Sequence, residues 1–154
     1  NACEEAIKKE KIQYQRGGTY VVMEGPQFST LAESNLYRYW KADVIGMTNM
    51  PEAKLAREAE IRYCSISMVT DYDCWHPNHE SVNLEMVINT MKENTKKSIN
   101  FIKEISEEYY KGIDFSQDKT HNILNTSIIT HRKYWDNKTE KKLDIILKRY
   151  KKDN

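Results

Sequence analysis

The sequence predicts an α/β fold: a mixed, mainly parallel sheet flanked by helices. Three short runs rich in β-branched and apolar residues, at 19–23, 42–47 and 61–70, alternate with segments of helical spacing. That strand–helix alternation calls for parallel pairing with right-handed crossovers. Three strands make a thin sheet for a layered fold, so the sheet is expected to be incomplete in this chain.

Each element has its own local reason. Residues 2 to 12 are charged and helix-permissive, and Arg16-Gly17-Gly18 ends that segment. Thr19-Tyr20-Val21-Val22-Met23 then reads as a short buried strand, stopped by Glu24-Gly25-Pro26. Thr30-x-x-Glu33 is a capping box that opens a helix reaching Trp40. Ala42 to Met47 is the second strand. Pro51 sits where a first helical turn tolerates it, and the helix it opens runs to Glu60.

Ile61 to Thr70 is expected as a third strand. Its Ile61, Tyr63, Cys64, Ile66, Met68 and Val69 suit a central strand covered on both faces. Leu84, Val87, Ile88, Met91, Ile99, Ile102 and Ile105 then mark a long helix from Ser81 to about Tyr109. A linker covers Lys111 to Asp118, and a helix is expected near His121 to Thr130. A last helix, Lys138 to Lys151, has Asn137-x-x-Glu140 as its cap and Leu143, Ile146, Leu147 and Tyr150 as its apolar face. Residues 1–110 thus hold the sheet and its helices, and 111–154 form a helical extension of the same domain.

Composition narrows the function. The 154 residues are 39% hydrophobic and 31% charged, and 24 Lys+Arg against 23 Asp+Glu leave a net charge of +1. Such a balance gives no global pull towards nucleic acid or anionic lipid. No apolar run approaches the ~20 residues that span a bilayer, so neither a nucleic-acid nor a membrane partner is expected. The three cysteines (Cys3, Cys64, Cys74) are widely spaced, which fits a reducing, cytoplasmic compartment. The histidines (His76, His79, His121, His131) have no structural-zinc spacing with them, so no metal site is expected. The chain begins Asn1-Ala2-Cys3 with no signal-peptide pattern, as expected of a segment of something longer.

In open α/β sheets ligands gather at the carboxyl ends of the strands. Those ends are Met23 to Ser29, Gly46 to Met50, and Thr70-Asp71-Tyr72-Asp73-Cys74-Trp75. On one rim they would offer an aromatic face (Phe28), a thioether (Met47), a hydroxyl (Thr48) and two carboxylates, which is what a purine nucleoside needs. Taken singly, Asp71-Tyr72-Asp73 also suits a plain turn, and Phe28 and Met47 also suit a core. Cys74 to His79 reads as a rim loop, and the Lys-rich end as a solvated helix face. Glu24 suits a catalytic role or loop anchoring equally.

The segments Gly18-Thr19-Tyr20-Val21-Val22-Met23-Glu24-Gly25-Pro26-Gln27-Phe28-Ser29, continuing to Glu33, then Ala42 to Glu52 and Ser67 to Trp75, resemble the methylthioadenosine phosphorylases. That family belongs to the trimeric purine nucleoside phosphorylases. The resemblance runs from about residue 10 to 105 and more weakly to the C-terminus.

It implies phosphorolysis of 5′-methylthioadenosine to adenine and 5-methylthioribose-1-phosphate, in purine and methionine salvage. No cofactor is implied, phosphate being the co-substrate, and the expected assembly is a homotrimer or hexamer. By the same resemblance Phe28 would stack on the base, Met47 would pack beneath the ribose, and Thr48 would bind phosphate. Asp71 would be the acid facing purine N7, with Asp73 near the 6-amino group. Ser29 and Asp71 fall where relatives acting on 6-oxopurines carry Glu and Asn. Leu84, Val87 and Ile88 match the wall around the 5′-methylthio group. The segment from His121 to His131 is a candidate for reaching a neighbouring subunit's pocket.

Physical chemistry accords with these roles. The leaving purine is anionic, so protonating N7 lowers the barrier, typically by ~10²–10⁴ in rate. A carboxyl in a semi-buried pocket near a second carboxylate is suited to donate. Two carboxylates also favour an exocyclic amine over a carbonyl, and an apolar wall disfavours a free 5′-hydroxyl. The family's glycine-rich phosphate loop, its Arg-His pair and its first strands have no counterpart in these residues. Alone, the chain is therefore expected to bind phosphate poorly and turn over little. Phosphorylases of adenosine or of inosine and guanosine, or a non-catalytic remnant or subunit lacking the phosphate site, are the alternatives.

Overall fold

Strands β1 (Tyr20–Val22) and β2 (Val44–Gly46) pair in parallel, with Tyr20 opposite Val44 and Val22 opposite Gly46. The computed structural model describes residues 2–76 and 84–151. By contact the chain forms two units, Asn1–Asn49 with Ser65–Phe115, and Met50–Cys64 with Ser116–Asn154. Among the described residues, no helix is long and apolar enough to cross a membrane.

In the first unit, the sheet continues beyond its assigned ends. The Met23 amide donates to the Gly46 carbonyl at 3.0 Å and the Asp43 amide to the Thr19 carbonyl at 2.9 Å, while the Asp43 carboxylate accepts the Thr19 amide at 2.7 Å. Gly46 is required by its neighbour: a Cβ there would lie 2.0 Å from the Tyr20 hydroxyl. Parallel strands need a crossover, and helix α2 (Leu31–Tyr39) lies between these two in sequence. Thr30 caps it, and Glu33 reaches back to the Thr30 amide at 2.7 Å, so the capping box forms as the spacing predicts. Helix α1 (Ala2–Lys9) packs on the 27-residue helix α4 (Leu84–Tyr110). Ala6 is fully buried, and Lys9 pairs with Glu104 at 3.3 Å.

In the second unit, helix α3 (Glu52–Glu58) packs on a 3-10 segment, Thr120–Asn125. Ala56 and Leu124 are the buried apolar side chains of the pair. Glu60 is the polar centre, its side chain 5% exposed. It accepts from the Leu124 amide at 2.9 Å and the Tyr150 hydroxyl at 2.5 Å, and it pairs with Arg149. A buried carboxylate persists only with such partners.

Three expectations are corrected. Residues 61–70 form no strand: the described residues hold one ladder, between β1 and β2. An apolar, β-branched run states a need for cover, whereas a strand exists only where a neighbour completes its hydrogen bonds. Ile61 and Val69 stay 58% and 60% exposed. The expected helix at 121–130 is instead the 3-10 segment Thr120–Asn125 with a turn after it; Asn and Thr favour local bonds over a continuing helix.

The C-terminal helix breaks into α5 (Asn137–Lys142), α6 (Asp144–Leu147) and a 3-10 turn, Lys148–Lys151. Its cap is Asp136, which accepts from the Lys138 and Thr139 amides, and not Asn137. A straight helix would hold residues 140 and 151 about 16 Å apart along its axis. The break at Leu143 lets the Lys151 ammonium reach Glu140 at 3.1 Å and Asp144 at 2.7 Å. The expected helix start at 81–83, and Lys152, lie outside the described residues.

Candidate functional site

The carboxyl ends of β1 and β2 meet through one glycine. Gly25 has φ +74°, a region that disfavours other residues, and a Cβ on it would lie 2.7 Å from the Met47 sulfur. The Met47 thioether therefore rests on the Gly25 backbone, directly after the ladder. Ser29, half-buried at the end of the same loop, donates its hydroxyl to the Met23 sulfur at 3.4 Å. The polypeptide then enters α2 through Thr30, so the capping box holds the loop's exit. Phe28, one residue earlier, is 83% exposed and presents an open ring.

The third segment is held by two attachments. Asn94 on α4 donates to the Val69 carbonyl at 3.2 Å, and Ser98 on α4 contacts the Met68 sulfur. After these, the backbone turns sharply. Asp71 Oδ1 accepts the Asp73 amide at 2.9 Å, and Asp71 Oδ2 accepts the Thr70 hydroxyl at 2.6 Å. Asp73 sits at φ +60°, in the left-handed region that Asp tolerates through such local bonds. A 3-10 turn, Asp73–Trp75, follows and packs on α2. There the Cys74 thiol donates to the Ser29 carbonyl at 3.6 Å, joining the third segment to the first.

Ser29, Met47, Asp71 and Asp73 thus belong to one connected set, through Met23, Gly25 and Cys74. Thr48 is exposed and is followed by Asn49, which has φ +78° and donates to the Ser65 hydroxyl at 2.8 Å. Leu84, Val87 and Ile88 lie in the first turns of α4, with Leu84 73% exposed. Among the described hydrogen bonds, none joins Phe28, Thr48, Leu84, Val87 or Ile88 to the set. Both Asp71 oxygens are engaged, yet a carboxylate has about four lone-pair positions, so each can accept once more. The set offers two carboxylates and a thioether, and the Phe28 ring stands open outside it.

Among the described residues, no group of three or more His, Cys, Asp or Glu could hold a metal ion. His76 belongs to an aromatic cluster, 4.9 Å from the Tyr72 ring and 5.1 Å from the Trp75 ring, and His79 lies outside the described residues. Two partners of the set escape sequence reasoning. Arg38 on α2 lies 3.9 Å from the Trp75 ring centroid, and Cys74 reaches Ser29. Each contact joins residues more than 35 positions apart, and no local pattern signals it.

The family model described as the phosphorylase superfamily matches residues 1–107. The chain is 53% identical over 128 residues to the S-methyl-5′-thioadenosine phosphorylase of Rhodospirillum rubrum, covering 83% of this chain and 44% of the relative. It is 46% identical over 145 residues to the enzyme of that name from Koribacter versatilis, covering 94% and 49%. Among solved structures, a methylthioadenosine phosphorylase from an antarctic soil metagenomic library is similar with a TM-score of 0.79. Its identity is 37%, over 95% of this chain and 51% of that one. Methylthioadenosine phosphorylase from Schistosoma mansoni in complex with adenine follows at a TM-score of 0.69 and 26% identity, over 82% and 50%. The chain spans about half the length of the curated relatives it matches. With a family match over more than two thirds of its residues, the chain belongs to the phosphorylase superfamily.

Proposed function

We propose that this chain is the C-terminal part of a single nucleoside phosphorylase domain whose activity is the phosphorolysis of 5′-methylthioadenosine. The observation that carries the reading is the connected set of Met47, Ser29, Asp71 and Asp73 beside the β1–β2 ladder, in a chain 53% identical over 128 residues to an S-methyl-5′-thioadenosine phosphorylase. A phosphate oxygen attacks C1′ as the bond from C1′ to N9 breaks and its electron pair passes into the purine. Asp71 is the acid that passes a proton to N7 and is left as the carboxylate. Asp73 accepts from the 6-amino group, and Phe28 stacks on the base.

Met47 packs beneath the ribose, and Ser29 leaves room where a longer acid would meet the base. Leu84, Val87 and Ile88 enclose the methylthio group, and Thr48 donates to phosphate. Thr48 is uncharged, so the cationic groups that hold the dianion belong to the rest of the domain. Phosphate is the co-substrate and no cofactor is needed. The working assembly is a trimer, or a hexamer, in the cytoplasm, serving purine and methionine salvage.

The test is adenine release. The chain is co-expressed with the preceding half of the Rhodospirillum rubrum relative and assayed with methylthioadenosine, adenosine and inosine, each with phosphate. Preference for methylthioadenosine is the expected result. Preference for inosine would overturn the roles given to Asp71 and Asp73, and release without phosphate would overturn phosphorolysis.

A further inference from the structure

We propose that Arg38 is a positioning residue for the base-facing turn: stacked on Trp75, it fixes Asp71 and Asp73 to the helix whose entry carries Phe28 and Ser29. The inference rests on the reading of Asp71 and Asp73 as base-facing groups.

The geometry is a two-point attachment. Cys74 and Trp75 are consecutive, yet they engage opposite ends of α2. The Cys74 thiol reaches the Ser29 carbonyl just before the helix, at 3.6 Å, and Trp75 lies under Arg38 in its last turn. Nine helical residues span about 13 Å, and side chains lean towards the helix N-terminus, so Arg38 folds back to meet the ring. The Arg38 Cζ lies 3.9 Å from the ring centroid, well inside the ~6 Å range of a cation–π contact. Tyr72 completes the clamp edge-on to Trp75, with centroids 6.1 Å apart.

One attachment alone would leave the turn free to rotate about it. With two, the orientation of the Asp73 amide towards Asp71 is set relative to α2. Since α2 also begins at the capping box beside Phe28 and Ser29, both sides of a bound base are mounted on one rigid element. Arg38 touches no reacting atom. It acts through Trp75.

Amide hydrogen exchange on the 154-residue chain reads the attachment without relying on activity. Arg38→Met keeps the stem and removes the charge; Arg38→Lys keeps a cation. Exchange of the Asp73 amide is expected to rise at least ~5-fold in Arg38→Met, with α1 and α4 unchanged. Arg38→Lys should restore most of the protection. Unchanged exchange, or a rise spread equally over α2 and α4, would overturn the inference. In the co-expressed enzyme, Arg38→Met should lower kcat for the nucleoside about 10-fold while the phosphate KM stays within about twofold. An unchanged kcat overturns the positioning role. A wild-type enzyme that releases no adenine overturns the proposed function instead, and the exchange result still decides the attachment.

Discussion

Asp71 accepts the backbone amide of Asp73 at 2.9 Å, so the two carboxylates are coupled by a turn and not merely adjacent in sequence. This coupling separates geometry from chemistry. Asp71→Asn retains an oxygen that can accept the Asp73 amide but delivers no proton as an acid would. Asp71→Asn is expected to keep the near-UV circular dichroism of the Trp75 cluster while adenine release falls at least ~10²-fold. Loss of both together would mean that the turn, and not the acid, is what the carboxylate supplies.

Asp73 sets the edge chemistry. A carboxylate accepts from a 6-amino group and repels a 6-carbonyl, so Asp73→Asn should erode the preference for 6-aminopurines. The ratio of kcat/KM for methylthioadenosine to that for inosine is expected to fall about 10-fold or more. An unchanged ratio would place the discrimination elsewhere.

Gly25 joins the two strand ends. Gly25→Ala places a methyl in a left-handed backbone position, which costs about 1–2 kcal/mol before any contact. The methyl also meets the Met47 sulfur. In denaturant titrations, Gly25→Ala should lower stability, and adding Met47→Ala should relieve the contact but not the backbone part. A neutral Gly25→Ala would contradict the packing of Met47 on this loop.

The capping box at α2 predicts a pH dependence. Glu33 takes the Thr30 amide and then its hydroxyl, and these bonds hold its carboxyl below its ordinary value near 4.5. A depressed folded value means that the unfolded chain binds the proton first. The stabilisation is therefore present above about pH 4.5 and disappears as pH falls through the lower folded value. Thermal melts from pH 6 to pH 3 should show a smaller loss for Glu33→Gln than for the wild type. Thr30→Ala should cost about 0.5–2 kcal/mol at neutral pH.

How much was legible follows the range of each signal. Thr30 and Glu33 are three residues apart, and the capping box forms as read. The Tyr20–Val22 and Val44–Gly46 strands were marked by β-branched residues bounded by Gly and Pro, and both form. Asp136 and Asn137 are both good caps, and sequence alone does not rank neighbours; the Thr139 amide chose Asp136. Ile61–Thr70 has the composition of a strand because its residues need cover, but pairing depends on a partner that residue type does not encode. For the site, chain order put Met47 directly after β2 and Ser29 in the loop after β1, whereas Asp71 and Asp73 follow a segment that forms no strand and are held by the Cys74 bond to Ser29. The Arg38 stack on Trp75 and the Cys74 bond to Ser29 join distant positions and had no local signal.

Adenine release from methylthioadenosine by the co-expressed enzyme, wild type against Asp71→Ala, decides whether Asp71 is the acid. Phosphate-dependent release is expected in the wild type, with a loss of at least ~10²-fold in Asp71→Ala while α2 and α4 stay folded. Equal rates in the two proteins would contradict the assignment of Asp71 as the acid that protonates the leaving purine.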